Sequence, residues 1–369
     1  MLPILLAMAA VELPRGRVID AVAVDGAPGQ SYALYLPASY SPDRRWPILY
    51  CLDPLARGGI PVKRFAAAAE KDGFIVAGSN NCRNGPIALE NEAIRWMLTD
   101  THARLEIDDA RVYTAGMSGG ARAALEWARN GAIAGVVACA AGFGNEVPRK
   151  IPFRLFATAG VDDFNYDELY QNSLDLARRG VAHRFVEFDG GHDWLPEPLA
   201  QEALDFFLSK VPPAAAQASR SQKDAANRYA KLMEMVQSDS DADRRALLDD
   251  MRRESAKPDD NDQRRIARRV VLGTFIGALE QGRAAMDQKD YAHAAHYFEI
   301  ALVARPEAGA IWYEMAVARA GAGDRRAAMG ALEHAVANGF NDRGRVESEP
   351  LLQGLRKEAR YRALLERLK

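Results

Sequence analysis

Residues 111–129 read RVYTAGMSGGARAALEWAR. Arg111–Ala115 is a short run with Val, Tyr and Thr, the residue types that suit a strand. Good helix formers follow from Gly119 to Arg129, with Gly131 as the stop signal. Between the two, Gly116-Met117-Ser118-Gly119-Gly120 fits G-x-S-x-G at a strand-to-helix turn, which is the context that gives this motif its meaning. A serine at such a turn is held in a strained backbone conformation with its hydroxyl above the sheet, and the small residues two before and two after let the flanking backbone pass close. The plain structural alternative is a glycine-rich turn with Ser118 as a helix N-cap.

On either side of this stretch the chain alternates strand-like and helical runs from Arg17 to about Lys210, the mark of a mostly parallel sheet covered on both faces. Arg17–Val24 and Ser31–Leu36 read as an opening antiparallel pair, and Trp46–Leu52 (WPILYCL) as a fully buried strand. Phe74–Gly78, Arg111–Ala115, Ile133–Ala138, Phe153–Thr158 and His183–Phe188 complete eight strands. Helices are expected at Val62–Glu70, Ile87–Leu105, Gly119–Arg129, Asp167–Arg179 and Leu199–Leu208. No long segment follows Ala138, so no separate lid is expected.

The chain has 369 residues, too many for one ordinary core, which implies two domains of unequal size. Lys plus Arg number 48 against 50 Asp plus Glu, so there is no domain-wide positive field to attract nucleic acid. Cys51, Cys82 and Cys139 are too few and too scattered for a disulfide framework or a zinc cluster, and no metal site is expected. Met1–Val11 is apolar but about half the ~20 residues of a membrane span. Residues 1–16 read as the remnant of a signal segment, with Ala7 and Ala9 as a small-x-small pattern but no basic residue ahead of it. Export is favoured slightly over a cytoplasmic location; a frayed terminus is the alternative.

Val211-Pro212-Pro213 ends the strand regime, which gives residues 17–210 as the first domain and 211–273 as a linker with charged connecting helices. Beyond it, Gly282 and Ala316, Ala294 and Ala328, Phe298 and Leu332, and Ala301 and Ala335 each lie 34 apart. Thr274–Phe340 therefore resembles tetratricopeptide repeats, with Leu351–Leu368 as a capping helix, and residues 274–369 are expected to form this all-α segment. An ordinary antiparallel bundle would show similar spacing. Such repeats imply a protein partner or self-association.

A nucleophilic serine needs a base, and His293, His296 and His334 lie in the helical segment. His102 ends a helix before the nucleophile, and His183 starts a strand at the opposite edge from the catalytic end. His192 follows the last strand, at the carboxyl end of the sheet where Ser118 emerges. After Phe153–Thr158 two aspartates, Asp162 and Asp163, compete for the third role.

Together, Arg17–Lys210 resembles an α/β-hydrolase of the group containing polyhydroxyalkanoate depolymerases, feruloyl esterases and related acyl esterases. The order serine, acid, histidine matches that arrangement. The group commonly places the acid three residues after the glycine that follows the strand, here Gly160, which points to Asp163 with Asp162 as fallback. The resemblance implies an oxyanion hole from the Gly119 N–H and from the loop after the third strand, Leu52-Asp53-Pro54-Leu55. Many relatives carry His-Gly there. Pro54 has no N–H, so Leu55 is the expected second donor, and Asp53 would hold the loop or form a salt bridge.

Asn81 and Arg83, in the loop Ser79–Pro86, are candidate substrate contacts, with a turn held by Asn side chains as the alternative. Trp194 is a candidate lining residue or a packing residue. Cys82 has no histidine partner in view and is not expected to act as a nucleophile. The implied activity is a serine hydrolase cleaving a small-molecule carboxylic ester through an acyl-enzyme, with no cofactor. The alternatives are a prolyl-oligopeptidase-like peptidase, or a non-catalytic interaction protein using the helical repeats.

Overall fold

A computed structural model describes residues 13–144, 146–217, 219–238, 240–258 and 260–368. The expected signal remnant at Met1–Val11 lies outside the described residues. The chain forms two compact units, Met1–Ala218 and Ser219–Lys369.

The first unit carries strands β1 (Val18–Ala23), β2 (Ser31–Tyr35), β3 (Trp46–Leu52), β4 (Ile75–Ser79), β5 (Ile107–Met117), β6 (Gly135–Cys139), β7 (Arg154–Gly160) and β8 (His183–Phe188). Its helices are α1 (Gly59–Asp72), α2 (Ile87–Arg104), α3 (Gly119–Asn130), α4 (Tyr166–Arg178) and α5 (Glu197–Phe207). The strands form one sheet in the order β1-β2-β4-β3-β5-β6-β7-β8, in which β2 runs antiparallel to both neighbours and all other pairs from β4 to β8 are parallel. This is the α/β-hydrolase fold.

The burial of β3 explains its unbroken apolar sequence. Ile48, Tyr50 and Leu52 pack in one core with Ile94, Met97, Leu125 and Leu169 from α2, α3 and α4. Leu49 and Cys51 pack in a second core with Val62, Phe65 and Leu204 from α1 and α5. A strand covered on both faces has no position at which a polar side chain could reach water. β5 is longer than its apolar stretch alone indicates, because Ile107 pairs with Trp46 ahead of the charged Asp108–Arg111.

Beyond the expected boundary at residue 210, the chain still bonds to the first unit. Ala214 exchanges backbone bonds with the start of β8, donating to His183 O at 3.0 Å and accepting from Phe185 N at 2.8 Å. The Ala216 N–H donates to Ser173 Oγ at 2.9 Å and the Tyr170 hydroxyl to Gln217 O at 2.8 Å. These bonds keep 214–217 on the first unit despite its loop-like composition.

The second unit contains α6 (Arg220–Ser238), α7 (Asp241–Ser255), α8 (Asp262–Asp287), α9 (Tyr291–Ala304), α10 (Gly309–Gly321), α11 (Arg325–Ala337), α12 (Arg343–Ser348), a 3₁₀ helix (Pro350–Leu355) and α13 (Ala359–Leu365). The division expected at 273/274 falls inside α8. Ile266 and Val270 of that helix bury against Val236 and Leu248, so the connecting helices share a small core with α8. Gly282 lies against the Phe298 ring, where an added Cβ would come within 2.5 Å of it. Ala294, Ala301, Ala328 and Ala335 are all fully buried between helices. Asp290 and Asp324 cap α9 and α11 by accepting from the N–H groups of His293 and Ala327. Among the described residues no helix is long and apolar enough to cross a membrane.

Candidate active site

β5 ends at Met117 and α3 begins at Gly119, which leaves Ser118 alone at the turn with φ 53° and ψ −123°. This conformation is strained for any residue with a Cβ and costs on the order of 1–3 kcal/mol. The turn is tight enough to exclude side chains on either side. A Cβ on Gly116 would come within 2.0 Å of Gly120 O, and one on Gly120 within 2.1 Å of Leu52 O. The Ser118 N–H donates to Cys139 O at 2.9 Å, which ties the turn to the end of β6.

His192 Nε2 lies 2.9 Å from Ser118 Oγ, and His192 Nδ1 lies 2.9 Å from Asp163 Oδ1. A carboxylate only accepts, so Nδ1 carries the proton and Nε2 of the neutral ring accepts from the serine hydroxyl. Asp163 is fully buried and also accepts from the Asn165 N–H at 2.8 Å, which fixes its carboxylate. Phe164 packs against the imidazole with ring centroids 4.3 Å apart. Of the two competing aspartates, Asp163 makes the 2.9 Å bond, while the Asp162 N–H donates to Gly190 O. A hydroxyl in this line can pass its proton to His192 while Asp163 stabilises the imidazolium that forms.

The Gly119 N–H is the first amide of α3 and has no intrahelical acceptor, so it is a donor available beside the serine. Leu55 is a different case. Its N–H donates to Asp53 Oδ1 at 2.9 Å and is therefore committed within its own loop. Asp53 is fully buried and also takes two bonds from the Arg57 guanidinium, at 2.8 and 3.0 Å. Burial alone would raise the Asp53 carboxyl, but the bonds from Arg57, Trp194 and Leu55 outweigh it and hold the group below its ordinary range.

The remaining candidates have the following surroundings. Asn81 accepts from Ser31 N at 2.8 Å and donates to Gly29 O at 2.8 Å, so it holds a turn. Arg83 is exposed and its backbone bridges Leu55. Trp194 is 2% exposed and donates from Nε1 to Asp53 Oδ2 at 2.9 Å, which makes it a core residue with a polar anchor. Cys82 is buried, and burial pushes its thiol up to about 12, which is unsuited to a thiolate nucleophile. His102 faces Asp109 at 3.3 Å, and His183 is buried against Ser173.

Asn84 was not singled out by sequence reasoning beyond membership of the loop Ser79–Pro86. Its side-chain amide lies against Gly119, with Oδ1 1.9 Å and Nδ2 2.9 Å from where a Cβ on that glycine would stand. The Asn84 N–H donates to Pro54 O at 2.9 Å, so the loop after β4 is fastened to the loop after β3 at this point.

Among solved structures, the chain is similar to the S-formylglutathione hydrolase FrmB of Staphylococcus aureus, with 16% identity and a TM-score of 0.42 over 53% of this chain and 99% of that one. It is also similar to a ferulic acid esterase, with 17% identity and a TM-score of 0.43 over 53% of this chain and 98% of that one. A third is a mutant feruloyl esterase module of Clostridium thermocellum complexed with sinapinate, with 13% identity and a TM-score of 0.44 over 55% of this chain and 91% of that one. No protein-family model and no curated protein matches the chain.

Proposed function

We propose that the chain is a serine hydrolase that cleaves a carboxylic ester of a small molecule through an acyl-enzyme. The observation that carries this reading is the continuous line Ser118 Oγ, His192 ring, Asp163 carboxylate, with both bonds at 2.9 Å and the serine on a strained turn. Ser118 Oγ attacks the ester carbonyl carbon as its proton passes to His192 Nε2. The carbonyl–alkoxy bond then breaks, and the departing oxygen takes that proton. Water attacks the acyl-enzyme, gives a proton to His192, and the carboxylic acid leaves as Ser118 recovers it. The Gly119 N–H and, through its Nδ2–H, the Asn84 side-chain amide are assigned to the oxyanion, the latter because it lies against Gly119 while the Leu55 N–H is already taken by Asp53.

In the same reading, Thr274–Phe340 forms two tetratricopeptide-like helix pairs that take a protein partner or a second copy of the chain. Support comes from the 34-residue spacing of the buried small residues and of the capping aspartates Asp290 and Asp324.

The decisive experiment is Ser118→Ala assayed with p-nitrophenyl acetate and with a fluorophosphonate probe. Hydrolysis is expected to fall by several orders of magnitude and labelling to vanish, with the thermal transition retained. Undiminished hydrolysis by this variant would overturn the mechanism.

A further inference from the structure

A groove of about 850 Å³ runs between α2 and α3 and begins at Gly119, the residue next to Ser118. It follows α3 to Asn130, a distance of ~16 Å at the helical rise. Its apolar lining includes Ile87, Ile94 and Leu98 from the α2 side, Ala123 and Trp127 from α3, and Phe143. The charges on its walls are matched. Arg122 is held by Glu168 at 2.8 Å and Arg129 by Glu126 at 2.9 Å, while the α2 wall carries one cation, Arg95, and one acid, Glu90. With Glu168 counted against Arg122, three cations and three acids balance, which leaves no net field to favour an ionic ligand.

A second observation points the same way. Among the described residues, the large apolar side chains that stand exposed are Leu55 (64%), Ile60 (37%), Ile87 (73%) and Leu89 (56%). All four lie on the two segments that follow β3 and β4, which Asn84 and the Leu55–Arg83 bridge fasten together beside the serine turn. Of the four, Ile87 itself lines the groove, and exposed apolar side chains of this size mark a surface that apolar matter covers.

The leaving alcohol must lie within reach of His192. The groove starts at Gly119, beside the residue that would carry the acyl group, while Ser118, His192 and Phe164 do not line it. We propose that the groove binds the acyl arm of the ester, and that this arm is an extended, uncharged, mainly hydrocarbon chain. The proposal rests on the serine-hydrolase reading and adds the substrate class.

The test uses the full chain with p-nitrophenyl acetate, butyrate and octanoate. Each methylene buried in the groove is worth about fourfold in affinity, so kcat/KM is expected to be at least ~10-fold higher for octanoate than for acetate. Ala123→Trp, which fills the groove one helical turn from Gly119, is expected to lower the octanoate-to-acetate ratio at least fivefold. Leu98→Trp serves as a second block from the opposite wall should Ala123→Trp unfold. Acetate hydrolysis with no gain for octanoate, or a gain that survives both blocks, overturns the groove assignment alone. No ester hydrolysis and no fluorophosphonate labelling by the unaltered chain overturns the serine mechanism and the groove with it.

Discussion

Trp194 Nε1 donates to Asp53 Oδ2 at 2.9 Å, joining residues 141 positions apart. The bond connects the segment just after His192 to the loop just after β3, so both are located from one buried carboxylate. Trp194→Phe keeps most of the ring packing and deletes the donor. Because the acceptor is charged and buried, the variant is expected to lose about 1.5–3 kcal/mol of stability. Ester turnover should fall with it, since His192 lies two residues away. Chemical denaturation and steady-state kinetics on the same preparation check both parts.

Asp163 and Asp162 are adjacent, but their carboxylates do not do the same work. Asp163→Asn replaces an acceptor facing His192 Nδ1 with an amide that can stabilise the wrong tautomer. A loss of ~10³–10⁴ in kcat is expected, against less than ~10-fold for Asp162→Asn. Parallel rate measurements decide it; a larger loss in the Asp162 variant would reassign the acid.

Asn84→Ala tests the oxyanion assignment. Removal of one preorganised donor typically costs ~10²–10³ in kcat with little change in KM. Asn84 is exposed, so the thermal transition should be unchanged. Affinity for a trifluoromethyl ketone, which mimics the tetrahedral adduct, should drop in proportion to kcat. An unchanged kcat would return the second donor to the β3 loop.

His183 predicts an acid-side loss of stability. The ring is 2% exposed, with Nδ1 2.9 Å from Val181 O and Nε2 2.6 Å from Ser173 Oγ. A carbonyl only accepts, so Nδ1 donates and Nε2 of the neutral ring accepts from Ser173, which in turn takes the Ala216 N–H. Burial holds the imidazole below its ordinary value. Between that lowered value and about 6.5, the unfolded chain binds a proton that the folded chain does not. The stabilisation is therefore complete above this window and declines as pH falls through it. The urea midpoint should drop between pH 7 and pH 5, and less steeply in His183→Gln; parallel slopes would remove His183 as the source.

The legible parts of the molecule were those that local chemistry dictates. The strand, glycine turn and helix around Ser118 follow from neighbouring residues, as does the position of His192 after the last strand. The choice of Asp163 came from a family spacing and not from the residues themselves. Position along the loop says nothing about a competing acceptor at Leu55: Asp53, two residues earlier, takes its N–H. Asn84, Phe164 and the Asp53–Trp194 bond depend on which loops meet in space, and none has a sequence period to announce it. Val211-Pro212-Pro213 reads as an exit from the fold, yet Ala214, Ala216 and Gln217 still bond to β8 and α4.

The positive φ of Ser118 sets reactivity against durability within one residue. The fold holds a side-chain-bearing residue where glycine would rest without cost, and on the proposed mechanism the hydroxyl is what that strain is kept for. Selection for heat tolerance alone, applied without an activity screen, would therefore favour loss of the serine among the first changes. Stabilised descendants of this chain are best sought by changing positions away from the turn, with turnover measured at every round.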